Sequence, residues 1–242
     1  MKLLIIRHGD PDYSVDSLTE KGWQEAKYLS ERMAKLDVRD FYVSPMGRAK
    51  DTASFTLEKM NRTAVECEWL REFNPSIHRP DRTGESCCWD WLPDDWTKIE
   101  EFYSYDRWAD PEVMREGNVR QEYDWVTENF DRMLAGYGYV RDGHCYRVEQ
   151  PNRDTIAFFC HLGLGCVLIS HLLGVSPMVL WHGFCAAPTS VTTLVTEERR
   201  KGTACFRLSS YGDTSHLYVK DEPPAFSGRY CETFEKEDER QD

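Results

Sequence analysis

The 242-residue sequence lacks any run that approaches the ~20 consecutive apolar residues needed to span a membrane as a helix. Its start is basic and then apolar, but Arg7 and His8 end the apolar stretch too early for a secretory signal peptide. No export is therefore predicted. We expect a cytoplasmic protein without a membrane partner.

Basic residues are in the minority, with 30 Lys and Arg against 42 Asp and Glu and a net charge of −12. Residues 232–242 carry −4 of this charge and are predicted to form a disordered acidic tail, which leaves −8 for residues 1–231. A surface of this sign is unsuited to the phosphates of nucleic acid, so no nucleic-acid partner is expected. An anionic substrate would instead need a local cluster of Arg and His.

The nine cysteines are odd in number and form no C-x-x-C pair. Cys87 and Cys88 are adjacent, whereas Cys160 and Cys166 sit in strongly apolar surroundings. This distribution favours reduced thiols in a cytosolic protein over a disulfide framework. It also lacks the clustered ligand spacing of a zinc site.

Apolar stretches alternate with helical patterns along most of the chain. The predicted helices begin after Thr19 or Ser17, at Ser44-Pro45, near Tyr123 and after His161. The predicted strands are 2–6, 41–43, 64–69, 155–160, 191–196 and 204–208, with a hairpin at 139–148. This alternation favours an α/β fold, a three-layer sandwich in which helices cover both faces of a mostly parallel central sheet.

The segment from about 74 to 150 interrupts the alternation and is predicted to be a cap inserted into a single domain of residues 1–231. Its aromatic residues are expected to order the cap by packing rather than to bind a partner. Five tryptophans lie in it: Trp89, Trp91, Trp96, Trp108 and Trp125. Near its start, the cationic residues His78, Arg79 and Arg82 could meet a second anionic group of a substrate, or form an ordinary solvated surface.

Arg7-His8-Gly9 follows the first predicted strand directly. In open α/β sheets, ligands bind beyond the carboxyl ends of the strands. Glu72 follows the third strand, His161 ends the fourth, and Arg48 lies one turn into the helix after the second. Each residue alone has an ordinary structural explanation. If the strands are parallel, however, these side chains converge on one rim, which favours a functional site.

The residues around these positions resemble the histidine phosphatase superfamily, whose other prominent branch is the cofactor-dependent phosphoglycerate mutases. The resemblance covers residues 2 to about 217 apart from the insertion. The matching stretches are IIRHGDPDY (5–13), LTEKGWQEA (18–26), YVSPMGRAKDTA (42–53), WLREF (69–73), FFCHLGLG (158–165) and YGDTSHL (211–217). The resemblance implies that Arg7, Arg48 and His161 bind phosphate. It further implies that His8 is the nucleophile, which forms a phosphohistidine, and that Glu72 is the proton donor.

The chemistry of these residue types is consistent with the implied roles. A neutral imidazole is a competent nucleophile towards phosphorus. Arginines can grip a phosphoryl group bidentately and stabilise the charge that develops on its oxygens. Two arginines and a histidine could replace the metal ions of other phosphatases, so neither a metal nor a cofactor is predicted.

Other residues are weaker candidates for the same site. Ser14, in the loop after His8, is a candidate donor to the phosphate. Asp10, Asp12 and Glu85 are acids that could substitute for Glu72. The family usually has two glycines after its second histidine, whereas Leu162 stands first here. Its backbone N–H can still point at an anion near a helix start, although its side chain would narrow the pocket.

Hydrolysis of a small-molecule phosphomonoester is the predicted activity. The mutase branch carries a Glu-Ser and Trp-Asn pattern after Arg-His-Gly, and this chain has Asp10-Pro11-Asp12-Tyr13 in that stretch. Mutase-type phosphoryl transfer remains an alternative, as does a non-catalytic binding protein that kept the fold. A homodimer is left open.

Overall fold

The computed structural model describes residues 1–80 and 82–241. Asp81, inside the predicted insertion, and Asp242, at the end of the predicted tail, lie outside the described residues. The strands are β1 (Lys2–Arg7), β2 (Pro11–Asp12), β3 (Ser17–Leu18), β4 (Asp40–Val43), β5 (Ala64–Glu66), β6 (Ser76–His78), β7 (Glu85–Cys87), β8 (Tyr139–Asp142), β9 (Cys145–Val148), β10 (Thr155–Cys160), β11 (Val191–Arg200) and β12 (Thr203–Asp213). The helices are α1 (Glu20–Met33), α2 (Gly47–Met60), α3 (Pro93–Trp96), α4 (Glu112–Glu116), α5 (Val119–Gly136), α6 (Leu162–Leu173), α7 (Pro177–Gly183) and α8 (Ser215–Tyr218).

One mixed sheet contains eight of the described strands, in the order β5-β4-β10-β1-β11-β12-β9-β8. The first four strands in this order are parallel to their neighbours, and the pairings from β1 onwards are antiparallel. The parallel half arises from strand–helix–strand crossovers, and the antiparallel half includes two hairpins. The predicted α/β fold with helices around a central sheet is confirmed, whereas the parallel pairings, expected in most of the sheet, are confined to one half.

The three-layer arrangement follows from the alternation of side chains along the central strands. In β1, Leu3 and Ile5 belong to the hydrophobic core that includes α5 and α6. The alternate residues Leu4 and Ile6 belong to a second core, formed with α1 and α2 on the opposite face of the sheet. A strand buried on both faces has a continuous apolar sequence, which is why β1 and β10 were recognisable from their sequences.

The segment predicted as an insertion, about 74–150, has two structural parts. The hairpin of β8 and β9 lies at the end of the central sheet. The preceding helix α5 packs in the larger core, and the Tyr123 hydroxyl on it lies 3.1 Å from Ser170 Oγ on α6. The described residues of 74–118 hold only short elements, and several of their side chains, among them Phe102 and Trp108, are buried in the larger core.

The structure selects one of two predicted caps and corrects the start of the next helix. Thr19 is the N-cap of α1, because its side chain accepts a hydrogen bond from the N–H of Gly22. α2 begins at Gly47 and not at Ser44-Pro45 as predicted. The Ser44 side chain does not cap this helix but lies 2.7 Å from a ring nitrogen of His161. β5 likewise ends at Glu66, three residues before the predicted end at 69.

None of the helices among the described residues is long and apolar enough to cross a lipid bilayer. All nine cysteines lie within the described residues, and each has a free thiol.

Two glycines set the distance between the loop after β1 and the start of α1. A Cβ on Gly9 would lie 2.8 Å from the carbonyl oxygen of Gly22, and a Cβ on Gly22 would lie 2.2 Å from the carbonyl oxygen of Asp10. Both contacts involve backbone atoms, which cannot rotate away as side chains do. The loop that carries His8 therefore rests directly on the backbone of α1.

A buried carboxylate joins the same loop to the C-terminal part of the chain. Glu25 of α1 accepts hydrogen bonds from the N–H of Asp10 (3.2 Å) and from the N–H of Ala225 (2.9 Å). Burial raises the pKa of Glu25 from 4.5 to about 7, although both backbone donors act in the opposite direction. Glu25 thus carries a titratable link between two distant parts of the sequence.

We predict that Gly22→Ala shifts the Asp10 loop, because the new Cβ would collide with its backbone. The free energy of unfolding should fall by about 1 kcal/mol or more, the lower end of the cost of overpacking. The matched control is Gly136→Ala, at the exposed end of α5, where a Cβ would meet nothing within 4 Å. That variant should be neutral or slightly more stable, since Ala favours helix more than Gly does. Denaturant unfolding measures both. Equal stabilities of the two variants would contradict the proposed backbone contact.

We also predict a pH-dependent contribution of Glu25 to stability. Because its folded-state pKa is raised, the folded protein binds this proton more tightly than the unfolded chain does. The contribution of Glu25 to the free energy of unfolding is therefore highest below about pH 4.5, falls between about pH 4.5 and 7, and then levels off. Between those limits the wild type should lose about 3 kcal/mol more than Glu25→Gln. Urea unfolding across this range, with the exposed Glu58→Gln as control, checks the difference.

Candidate active site

The carboxyl ends of β1 and β10 bring two histidines together. Arg7 and Cys160 are paired in register at the ends of these parallel strands. His8 and His161 follow them, with ring centroids 5.1 Å apart and ring planes tilted by 57°. Both residues are buried. The predicted convergence at the sheet rim is therefore present for this pair.

The hydrogen bonds of His8 define which nitrogen can react. Its Nδ1 lies 2.7 Å from the carbonyl oxygen of Gly9. A carbonyl only accepts, so Nδ1 must carry the proton, and the lone pair of the neutral ring is on Nε2. The backbone is held as well, since the N–H of Thr189 donates to the His8 carbonyl and the N–H of Gly9 donates to Thr52 Oγ1.

The surroundings keep both imidazoles neutral. Burial lowers the pKa of His8 well below its usual value, and the charges of Arg7 and Arg48 lower it further against the hydrogen bond to Gly9. The pKa of His161 is also lowered well below its usual value, first by burial and then by His8, Arg48 and Arg7. A neutral His8 is the form that can act as a nucleophile.

Three buried polar atoms of these residues have no hydrogen-bond partner within the described part of the chain: Arg7 Nε, Arg48 Nε and His161 Nδ1. Ser44 Oγ accepts from the N–H of Met46 and lies 2.7 Å from His161 Nε2. If the Ser44 hydroxyl donates to Nε2, then His161 Nδ1 is an N–H donor. All three atoms are then donors. Buried donors normally have acceptors, and phosphoryl oxygens would supply them.

Arg7 is held by backbone from two distant segments. Its Nη1 donates to the carbonyl of Ala186 at 2.6 Å and to that of Ser227 at 3.0 Å. Gly228 has a φ of +82°, and a Cβ there would lie 2.8 Å from Arg7 Nη2. Glycine tolerates the positive φ and has no Cβ to collide with the guanidinium, so it meets both requirements. The C-terminal residues 227–228 therefore form part of the wall around this guanidinium.

Arg48, in the first turn of α2, is held by Asp16, a residue that sequence reasoning missed. Asp16 Oδ1 lies 2.5 Å from Arg48 Nη1, and Oδ2 accepts from the N–H of Gly47 at 2.7 Å. The ring of Tyr13 lies beneath the guanidinium, 5.4 Å from Arg48 Cζ. Asp16 has a φ of 49°, which Asp tolerates better than most residues. Nothing in the local sequence pattern marked this pairing.

Glu72 lies beside the start of α6. Its Oε1 accepts from the N–H groups of Phe73 and Leu164, each at 2.9 Å, which leaves Oε2 to carry a proton. Burial by the surrounding protein raises the pKa of Glu72, against these donors and the charges of Arg48 and Arg7. A Cβ on Gly163 would lie 2.8 Å from Oε1, so glycine at this position gives the carboxyl group its place.

The structure places the weaker candidates differently. Leu162 is the first residue of α6 and lines the same cavity as His8. Ser14 is exposed, and its hydroxyl donates to Asp12 at 2.6 Å. Asp10 accepts from Thr19, and Glu85 from Ser76, in both cases through side chains. Among the four acids considered, Glu72 is the one that lines the cavity, and a role of Ser14 in phosphate binding stays a prediction.

Two cavities meet at Glu72. One of about 780 Å³ is lined by Arg7, His8 and Glu72 and continues between aromatic side chains. The other, of about 890 Å³, is lined by Arg48 and Glu72, by other polar residues such as Asn74, Asn118 and Gln121, and by Trp125. The site thus combines an imidazole lone pair, two arginines, a second imidazole and a carboxyl group. This set of groups is suited to transferring a phosphoryl group to His8.

Comparison with solved structures identifies the fold. A phosphoserine phosphatase mutant from Entamoeba histolytica superposes with a TM-score of 0.53 at 19% identity, covering 89% of this chain and 98% of that one. A mycobacterial glucosyl-3-phosphoglycerate phosphatase gives 0.53 at 20% identity, with 87% and 98% covered. The α-ribazole phosphatase of Shigella flexneri gives 0.53 at 20% identity, with 88% and 97% covered.

Comparison of sequences agrees with this fold. A 2,3-bisphosphoglycerate-dependent phosphoglycerate mutase of Thermoplasma acidophilum is 30% identical over 92 residues. The match spans 34% of this chain and about half the length of the mutase, 46%. The family model of the histidine phosphatase superfamily (branch 1) matches residues 3–207. The resemblance of the sequence motifs is thereby confirmed, and the chain belongs to the histidine phosphatase superfamily.

Proposed function

We propose that this protein hydrolyses phosphomonoesters of small molecules through a phosphohistidine on His8. The observation that carries the proposal is the lone pair of a neutral, buried His8 Nε2 beside Arg7, Arg48 and His161. An anionic phosphoryl group would pair with the two guanidinium groups and present its phosphorus to this nitrogen. Positioning and charge stabilisation are the main contributions that a protein makes to phosphoryl transfer.

In the first step, His8 Nε2 attacks phosphorus and the bond from phosphorus to the ester oxygen breaks. The proton on the Glu72 carboxyl group passes to the departing oxygen, so the alcohol leaves neutral. The developing charge on the phosphoryl oxygens is stabilised by Arg7, Arg48 and the second histidine. The raised pKa of Glu72 supports its part, since a proton donor must be protonated at the working pH.

In the second step, water attacks the phosphorus of the phosphohistidine. The Glu72 carboxylate takes a proton from this water, the bond from phosphorus to His8 Nε2 breaks, and inorganic phosphate leaves. Apart from the attacking water, every group in the two steps belongs to the chain or to the phosphomonoester. We therefore propose that neither a metal ion nor a cofactor is needed. A cytoplasmic location, the absence of nucleic acid and the oligomeric state stay predictions.

The match to a phosphoglycerate mutase supports a second candidate, mutase-type phosphoryl transfer. The two activities differ in what accepts the phosphoryl group from His8: water in the phosphatase, the second hydroxyl of a reoriented substrate in the mutase. Release of phosphate from p-nitrophenyl phosphate would favour the phosphatase. No release, together with activation by a bisphosphoglycerate, would favour the mutase.

We predict that His8→Ala lowers kcat by several orders of magnitude, because the variant lacks the imidazole nitrogen proposed to attack phosphorus. Acid-free quenching of the wild type during turnover of ³²P-labelled substrate should trap a base-stable, acid-labile adduct, mapped to His8 by peptide analysis. The exposed His78→Ala is the control and should retain both activity and adduct. Substantial turnover by His8→Ala would exclude this nucleophile.

The same assay tests independence from metals. Wild-type turnover should be unchanged after prolonged dialysis against EDTA, because the arginines already supply positive charge to the phosphoryl oxygens. Strong inhibition that divalent ions reverse would show instead that a metal takes part.

We predict that the effect of Glu72→Gln depends on the leaving group. An alkyl phosphate needs a protonated leaving oxygen, and its kcat/KM should fall by about 10²–10⁴. p-Nitrophenyl phosphate releases a stable anion, so the rate of its first step should fall far less in the variant. With the alkyl substrate, wild-type activity should also decline as pH rises and Glu72 ionises, and the variant should lack this decline.

The control is Glu85→Gln, which changes an exposed acid that sequence reasoning kept as an alternative donor. It should behave as wild type with both substrates. Single-turnover experiments measure the rate of phosphoryl transfer to His8. If Glu72→Gln lowered this rate equally for both substrates, then Glu72 would not be the proton donor.

A further inference from the structure

The cavity that holds the nucleophile is much larger than a phosphoryl group. Its volume of about 780 Å³ falls within the 300–1,000 Å³ typical of sites for organic ligands. Arg7, His8 and Glu72 all line it, whereas the polar cavity beyond Arg48 is lined by neither Arg7 nor His8. A substrate whose leaving group lies in the larger cavity therefore has the nucleophile, a phosphate-binding arginine and the acid around one space.

Aromatic side chains from four parts of the sequence line this space: Tyr13, Trp89, Trp91, Trp96, Trp181, Phe184, Phe226 and Tyr230. Three of the indole N–H groups are already used. Those of Trp89, Trp91 and Trp181 donate to backbone carbonyls at 2.6, 3.0 and 2.9 Å. These residues consequently offer carbon surface rather than hydrogen-bond donors to a ligand.

The aromatic wall is supported from behind. Arg79, which the sequence suggested as a binder of a second anion, is buried, donates to the carbonyl of Trp89 at 3.1 Å and lies over Trp91. Trp96 stacks on His182 with centroids 4.7 Å apart, and His182 accepts from the N–H of Trp91 at 3.0 Å. A wall held in this way needs little ordering when a ligand binds.

The charges around the outer part of the cavity are balanced. Away from the catalytic residues, the described lining contains two arginines, Arg229 and Arg240, and two acids, Asp90 and Glu232. Arg240 pairs with Asp90 at 3.0 Å and lies 4.3 Å above the ring of Tyr230. Arg229 lies 4.2 Å above Phe226 in the same manner. A second anionic group of a substrate would therefore gain little here.

From these observations we infer that the leaving group is a neutral alcohol that carries an aromatic or heteroaromatic ring, bound between the aromatic side chains of the larger cavity. The inference rests on the proposed phosphatase function. Offset stacking and edge contacts with aromatic side chains favour such a ring. Small acidic alcohols, with a carboxylate or a second phosphate, would lose hydration in the outer part of this cavity, where Asp90 and Glu232 offset the charges of Arg229 and Arg240.

The first experiment compares alkyl phosphates whose alcohols have similar acidity: 2-phenylethyl phosphate, ethyl phosphate and O-phosphoserine, with a nucleoside 5′-monophosphate as the heteroaromatic case. The ring-bearing esters should have kcat/KM values about 10- to 100-fold above that of ethyl phosphate, mainly through KM, as expected for stacking on aromatic side chains. A higher kcat/KM for O-phosphoserine than for 2-phenylethyl phosphate would overturn the inference. Failure to hydrolyse any of the esters would instead overturn the proposed function.

The second experiment locates the ring. Trp96→Leu and Phe226→Leu should each raise KM for 2-phenylethyl phosphate about 5- to 10-fold more than KM for ethyl phosphate. Trp125→Leu, in the polar cavity, and Phe234→Leu, whose side chain is 81% exposed in the C-terminal segment, are the matched controls. Neither control should change the ratio of the two KM values. Thermal unfolding identifies any variant that is misfolded.

A selective rise in KM for 2-phenylethyl phosphate in Trp125→Leu, with no such rise in Trp96→Leu or Phe226→Leu, would place the leaving group in the polar cavity. That result would overturn the inference. The use of two test variants guards against one of them failing to fold, because they lie on separate segments of the wall.

Discussion

Two arginines buried beside two histidines form the constraint on which the site depends. A guanidinium keeps its charge when buried, so Arg7 and Arg48 make any further positive charge nearby unfavourable. Burial first, and then these charges, lower the pKa of both His8 and His161, and the neutral ring of His8 retains a lone pair on Nε2. The same charges that suppress protonation favour a bound anion. A neutral imidazole and surroundings suited to an anion are therefore consequences of the same buried arrangement of charges.

This arrangement requires backbone support from remote parts of the chain. The loop after His8 rests on the backbone of Gly22, and Glu25 connects that loop to Ala225. Residues Ser227 and Gly228 lie against the guanidinium of Arg7. The C-terminal segment thus contributes to the site although it is more than 200 residues from His8 in sequence. The two like charges are held from outside in different ways, Arg7 by the backbone carbonyls of Ala186 and Ser227 and Arg48 by the carboxylate of Asp16.

The groups proposed to act on phosphorus and the aromatic wall come from different parts of the fold. The former lie at the carboxyl ends of strands in the parallel half of the sheet and at the start of α2. The aromatic wall comes from Tyr13, from residues 89–96, from α7 with Phe184, and from the C-terminal segment.

The sequence by itself determined the α/β fold, the buried strands β1 and β10, the family, and the residues expected around the phosphate. These features are local: hydrophobic periodicity records burial, and short motifs at strand ends record where side chains emerge. The tertiary structure alone decided that Asp16 pairs with Arg48, that Ser44 binds His161 rather than capping α2, and that Ser14 faces solvent. It also joined the hairpin of β8 and β9 to the central sheet and closed the aromatic cavity with the C-terminal segment. Such pairings depend on which distant segments meet in space, and the spacing of residues along one segment carries no record of that.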